Sequence, residues 1–375
     1  MAAQNAPVEI WGKIFELSCS DGGQTGRSLA LVSRYIHAVS KPYQYQSIAL
    51  VGPHAIERFA KSLADSSQHR RVKYLFMSTF KPCSTVLDLI LGGALQTPKH
   101  PSLHPTSSDH TCQTEPRSNH EILSDMYRIL EFIAPTVLNL HILMDFYREE
   151  TFFPTSFTVL EELSIQGPFY DHYDCNDDFC DTLYPPIPSL RRLYLTDVFT
   201  CIKDRTYLAI RHYAPYLTHL RIQCADGYVE SGRMFLRQLL PASGLEGPGD
   251  DEEFYQGYGY VDDYWQGVAT VNRAEDDDDE GAKTKRPHFP ETLQRIFFHP
   301  GPTQSRGNCA ASYMMQVMRQ TALSELEKCA QDDPRIILFK ESPWVWPYSR
   351  EYGYVEGKKQ WLDSISGGTG GWEDS

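Results

Sequence analysis

The stretch LRRLYL, residues 190–195, places apolar side chains at its first, fourth and sixth positions: Leu190, Leu193 and Leu195. Alternation across the last two suits a short strand with one face turned inward, and the leading leucine turns the chain into that strand. The same spacing recurs as Val72-x-x-Leu75-x-Met77, Val137-x-x-Leu140-x-Ile142, Leu160-x-x-Leu163-x-Ile165, Leu217-x-x-Leu220-x-Ile222 and Leu293-x-x-Ile296-x-Phe298. Most copies follow a polar residue, such as Thr136, Ser189 or Thr292. No single unit buries its own apolar face, whereas a stack of them does.

Several segments between the copies read as helices that return the chain to the next strand. His120–Ala134 puts Ile122, Met126, Ile129, Leu130 and Ile133 on one side, and Ile202–Tyr213 and Ser312–Cys329 are patterned alike. Arg335–Phe339, RIILF, supplies a last strand. From position 137 to 217 the steps fall in or beside the range of about 20–29 residues found in leucine-rich repeats, which the pattern resembles. The expected architecture is a right-handed curved solenoid with a mostly parallel sheet over residues 51–347. Two gaps, at 96–119 and 244–290, read as inserted loops. Residues 348–375 are expected to form a short helix over Val355–Leu362 that caps the last repeat, with Trp344, Trp346, Trp361 and Trp372 packing there. The glycine-rich end is expected to fray.

The N-terminus poses a different problem. PVEIWGKIFELSC, residues 7–19, reads as a helix opened by Pro7. On a helical wheel Val8, Trp11 and Phe15 form one apolar cluster and Ile10, Ile14 and Leu17 another. Together they span roughly half the circumference, more than the stripe of about 100° that one core requires. The glycine-bearing segment 20–26 ends this helix. A second follows, capped by Thr25 or Ser28 and running through Leu29–Val32, and a third is capped by Ser33. Three short helices bury little surface by themselves, so a neighbour must supply part of their stability.

Pro7-Val8-Glu9-Ile10-Trp11, Ile14-Phe15 and Leu29-Ala30-Leu31-Val32-Ser33-Arg34 resemble an F-box, over residues 6–50. Ala6 stands where that family usually has leucine, and the 20–26 loop resembles the large fungal F-box group. The resemblance implies docking on a Skp1-like adaptor, and through it a cullin, with Pro7, Ile10, Ile14, Leu29, Val32 and Ser33 facing the adaptor. Val8, Trp11, Phe15 and Ile36 would then hold the three helices together. The whole chain reads as α+β: an N-terminal three-helix F-box, then an irregular α/β leucine-rich-repeat-like solenoid that presents a curved face, with long loops at one rim, to a target protein. A scaffold outside any ligase, whose helical start merely caps the solenoid, is the alternative.

Composition narrows the function classes. Residues 246–280 hold thirteen acids against one base, Arg273, and account for most of the formal charge of −14. That balance points away from a nucleic-acid partner. Interleaved rings at Phe254, Tyr255, Tyr258, Tyr260, Tyr264 and Trp265 fit either a solvated loop or a segment that recognises a basic partner. No run approaches the ~20 apolar residues of a membrane span, and the N-terminus lacks a signal-peptide pattern. Nine scattered cysteines suit free thiols, hence a cytoplasmic or nuclear setting.

His172, Cys175, Asp177, Asp178 and Cys180 have zinc-ligand types but no matched second pair, and read as a polar loop. His100, His104, His110 and Cys112 lie among Pro, Ser and Thr and read the same way. No phosphate-binding loop, dinucleotide fingerprint, nucleophile elbow or HExxH occurs. No catalytic residue, metal or cofactor is therefore expected.

Overall fold

The structure is a computed structural model and describes residues 6–64, 71–82, 117–144, 155–166, 186–198, 210–224, 292–300, 310–340 and 349–372. Three helices come first: α1 (Val8–Ser18), α2 (Gln24–Leu29) and α3 (Arg34–Ser40). Then follow β1 (Ser47–Val51), α4 (Pro53–Ala64), β2 (Tyr74–Ser78), α5 (Asn119–Ile133), β3 (Asn139–Leu143), β4 (Glu162–Gln166), β5 (Arg192–Val198), β6 (His219–Cys224) and β7 (Arg295–His299). The chain continues with α6 (Ala310–Asp332), β8 (Ile336–Leu338) and α7 (Ser349–Ile365).

The eight strands form one parallel sheet whose order is the chain order, β1 to β8. All six copies of the apolar spacing, and RIILF, fall on strands. They also fall in register. Leu75, Leu140, Leu163, Leu193, Leu220, Ile296 and Ile336 stand side by side in one ladder. Met77, Ile142, Ile165, Leu195, Ile222, Phe298 and Leu338 stand in the next. The leading residues Val72, Val137, Leu160, Leu190, Leu217 and Leu293 are buried beneath them. A buried Leu or Ile contributes about 1.5–3 kcal/mol, and the ladders repeat that gain at every step.

The polar residues ahead of the copies have a physical role. Thr136, Ser189 and Thr292 donate their hydroxyls to the carbonyls of Val72, Leu160 and Leu217, the leading residues of the preceding units, at 2.8–3.0 Å. Buried carbonyls at the turn into each strand are thereby satisfied. The long insertions leave the pairing intact: β2 and β3, and likewise β6 and β7, are direct neighbours in register. Lengthening a loop costs little closure entropy, so ladder contacts outweigh it.

One face of the sheet, with α4, α5 and α6, forms the principal apolar core. Ser118 and Glu121 cap α5 reciprocally, in agreement with the helix expected there. Of the helix expected at 202–213, residues 210–213 are described and are helical. Helix α4 was not anticipated. It buries Ile56, Phe59, Ala60 and Leu63, at helical spacing, against that core.

The C-terminal segment departs from expectation in two ways. The helix is longer than Val355–Leu362, and it lies over β2 and β3 rather than capping β8. Trp361 and Ile365 pack with Phe76 and Leu143 on the sheet's second face, because those strand residues alternate away from the main core. The tail does not fray before Trp372, which is buried against Phe297 and Tyr194. Trp344 and Trp346, the histidine and cysteine loops at 100–112 and 172–180, and the acidic insertion lie outside the described residues.

Candidate docking surface

In α1 the inward side is fixed by two residues. Phe15 is buried and stacks on Trp11, with ring centroids 5.4 Å apart. Gly12 is buried against Tyr43, whose hydroxyl would lie 2.8 Å from a Cβ there. The helix therefore turns its Gly12–Phe15 side inward, leaving the other apolar cluster out. Ile10 is 52% exposed, Ile14 46% and Leu17 77%, at helical spacing along one stripe. Leu31 and Val32, in the turn between α2 and α3, and Tyr35 in α3 are exposed as well. Seven of the ten large apolar side chains exposed among the described residues lie between positions 8 and 35. Concentrated apolar exposure of this kind marks an interaction surface, where single scattered residues would not.

The six residues expected to face an adaptor sort as follows. Pro7, Ile10, Ile14 and Val32 are exposed, and Leu29 at the end of α2 is half-buried. Ser33 is exposed, but its hydroxyl accepts the amide of Ile36 at 3.2 Å as the N-cap of α3. Val8 corrects the assignment of an internal role: it lies on the Gly12–Phe15 side, but as the first residue of α1 it stands a full turn before Gly12, and more than half of it is exposed. Trp11 and Ile36 are half-buried. Leu17 and Leu31, the two most exposed, were not assigned to the adaptor-facing set. Leu17 continues the Ile10–Ile14 stripe by one turn, a signal legible in the sequence. Helix α2 is started by neither Thr25 nor Ser28. Asp21 accepts the amides of Gly23 and Thr25, and Gly23 takes the N-cap position with a positive φ.

The helices are fastened to the sheet from their other side. Glu16 accepts from Lys13 and Lys73, each at 2.9 Å, and these hydrogen bonds hold its carboxyl down to about 2. Gln46 donates to the carbonyl of Glu16 at 2.8 Å. The carbonyl of Gly22 accepts the amide of Ala49, so the outer edge of β1 is partly closed by the loop after α1. The exposed stripe is thus presented by a helix fixed in place.

A second surface lies on the sheet face opposite the main core. Its central ladder reads Ala49, Phe76, His141, Ser164, Tyr194, Arg221, Phe297 and Ile337; its members from Phe76 to Phe297 are buried, with α7 and the tail packed on this face. Burial drives His141 down to about 3, keeping the ring neutral. Burial raises Glu162, against the opposing pull of Trp372 and Arg192. This face of the sheet is covered by the chain itself.

Among the described residues no group of His, Cys, Asp and Glu is placed to hold a metal, and no helix is long and apolar enough to cross a membrane. No protein-family model, curated protein or solved structure matches the chain.

Proposed function

We propose that the chain is the substrate-recruiting subunit of a Skp1–cullin–F-box type ubiquitin ligase. In this reading α1–α3 act as an F-box that docks on a Skp1-like adaptor, and through it on a cullin. The remainder is a leucine-rich-repeat-like solenoid that holds a target protein. The observation that carries the reading is the exposure of Ile10 and Ile14 on a helix already fixed to the sheet by its opposite side. The chemistry required is proximity: a tethered target meets the conjugating enzyme at a raised effective concentration. The chain itself then makes and breaks no bond, and uses no cofactor or metal.

A second reading draws on the bond between Gly22 and Ala49. There the helices cap the β1 edge of a repeat scaffold outside any ligase. Capping, however, calls only for the side that faces the sheet, and leaves the outward apolar stripe without a role.

The test is Ile10→Asp combined with Ile14→Asp. The double variant is expected to lose co-purification with a Skp1-type adaptor while its circular dichroism and melting match the parent. Retained co-purification overturns the ligase reading, and global unfolding makes the two residues part of the fold and favours the scaffold.

A further inference from the structure

Helix α7 meets the sheet along a stripe at four-residue intervals: Gly353, Gly357, Trp361 and Ile365. The glycines are there for closeness. A Cβ at Gly353 would sit 2.8 Å from the Gln166 amide oxygen, and one at Gly357 would sit 2.6 Å from Nε2 of His141. The helix thus rests on β4 at Gly353, on β3 at Gly357, and on Phe76 of β2 at Trp361, where the rings are 5.5 Å apart. After Ile365 the chain doubles back across the same face. Asn139 donates to Ser364, which donates to Glu162; Arg221 donates to the carbonyl of Gly371 at 2.8 Å; Trp372 meets Phe297 edge-on.

Two features set this contact apart from the principal core. The first is chemistry. The core face is built of Leu, Ile, Val, Met and Phe, whereas this face buries His141, Ser164, Gln166 and Arg221. Among the described residues, Ser164 Oγ, Arg221 Nε and Trp361 Nε1 are buried there without a hydrogen-bond partner. Burying such groups unpaired opposes docking and offsets part of the gain from Trp361 and Ile365. The second feature is the helix itself. Two interior glycines each cost about 1 kcal/mol relative to alanine, so α7 is a poor helix away from the surface that shapes it. A poor helix that folds on a mixed polar and apolar face behaves as a bound peptide.

We propose that residues 349–372 are a displaceable internal ligand of the sheet's mixed second face, which binds in their place a partner's helical segment with small residues four apart and an aromatic one turn later. The closed chain keeps that face from unselected partners, and a target gains it by exchange with α7. Displacement also uncovers the loop after α1, since a Cβ at Gly22 would lie 3.6 Å from the Trp361 ring. This inference deepens the target-holding part of the reading above, but its test contains no adaptor, so either can fail alone.

The test uses the full chain. Hydrogen exchange followed by mass spectrometry is expected to show 349–372 exchanging at least tenfold faster than β2–β6, through an opening that leaves the strands protected. Gly357→Leu, which clashes with His141, is expected to speed exchange in 349–372 a further tenfold or more with the strands unchanged. A labelled synthetic peptide of residues 349–372 is expected to bind that variant saturably and the parent at least tenfold more weakly. Exchange of 349–372 only together with β2–β6 in the parent chain makes the segment integral core and overturns the proposal. Failure of the peptide to bind a variant whose 349–372 is open overturns it equally.

Discussion

Glu16, in the last turn of α1, accepts a hydrogen bond from Nζ of Lys73 at 2.9 Å, across 57 positions of chain. Lys73 directly precedes β2, and its carbonyl accepts the amides of Leu138 and Asn139 ahead of β3. One residue therefore fastens the N-terminal helices and continues the hydrogen-bond ladder between strands. Lys73→Ala is expected to lower stability at pH 7 by about 0.2–1 kcal/mol, the range for a half-exposed pair. The sign with pH is fixed by Glu16, whose carboxyl is held at about 2 against an ordinary 4.5, chiefly by the Lys73 hydrogen bond. Such a carboxyl stabilises the fold above about 4.5 and stops doing so as pH falls toward 2. Denaturant midpoints of parent and variant should differ most at pH 6–7 and converge near pH 2.

The inward ladder predicts a contrast between leucines. Leu163 sits at the middle of its ladder and is fully buried, whereas Leu17 is 77% exposed. Leu163→Ala should cost about 2–5 kcal/mol in urea unfolding, from lost transfer energy plus the cavity left behind. Leu17→Ala should fall within about 0.5 kcal/mol of the parent. Thr136→Val, which removes the hydroxyl donated to Val72, should cost about 1 kcal/mol.

Leu17→Asp with Leu31→Asp tests whether the adaptor-facing set extends beyond the residues the family resemblance indicates. Both side chains are strongly exposed, so melting should be unchanged. Binding to a purified Skp1-type adaptor, measured by calorimetry, should weaken tenfold or more. Unchanged affinity would confine the contact to Ile10, Ile14 and their immediate neighbours.

His141 gives the covered face a pH response. Burial holds it at about 3 against an ordinary 6.5, so it stays neutral while docked beneath Gly357. Below pH 6.5 an opened or unfolded chain gains a proton that the closed chain refuses, and the closed state loses ground. Between pH 6.5 and 5 the loss is about 2 kcal/mol. His219, also lowered by burial, adds to this, while Glu162, raised by burial, acts in the opposite direction as it takes up its proton. His141→Leu should flatten the dependence of the melting temperature on pH over that interval. An unaltered slope would show that His141 takes up its proton without opening the face.

The strands were legible because their information is local. Spacing within six residues identified β2 to β7, and stacking of like positions implied their register. Helix α4 was equally legible in the helical spacing of Ile56, Phe59, Ala60 and Leu63. Which half of the α1 arc turns inward was not local knowledge. It depends on Tyr43, 31 positions beyond Gly12, filling the space that glycine leaves. The site of α7 was least legible. Its glycines at four-residue spacing announced a close approach to something, but only the tertiary structure pairs Gly357 with His141. The general tendency of parallel sheets to be covered on both faces was the available hint. Among the candidate site residues, Ile10, Ile14 and Val32 could be read from amphipathicity and family resemblance, whereas Val8 was assigned inward because a wheel shows directions without showing neighbours.

The contact between Trp361 and the loop at Gly22 brings together segments 339 positions apart in the chain. At synthesis rates of about 5–20 residues per second, the ribosome emits the first helices tens of seconds before Trp361. Throughout that interval Ala49 and Phe76 lack their cover, and a nascent-chain chaperone has its opportunity there. A premature stop between β8 and Trp361 would make that interim state permanent, and quality control would meet it as an exposed aromatic patch beside otherwise finished strands.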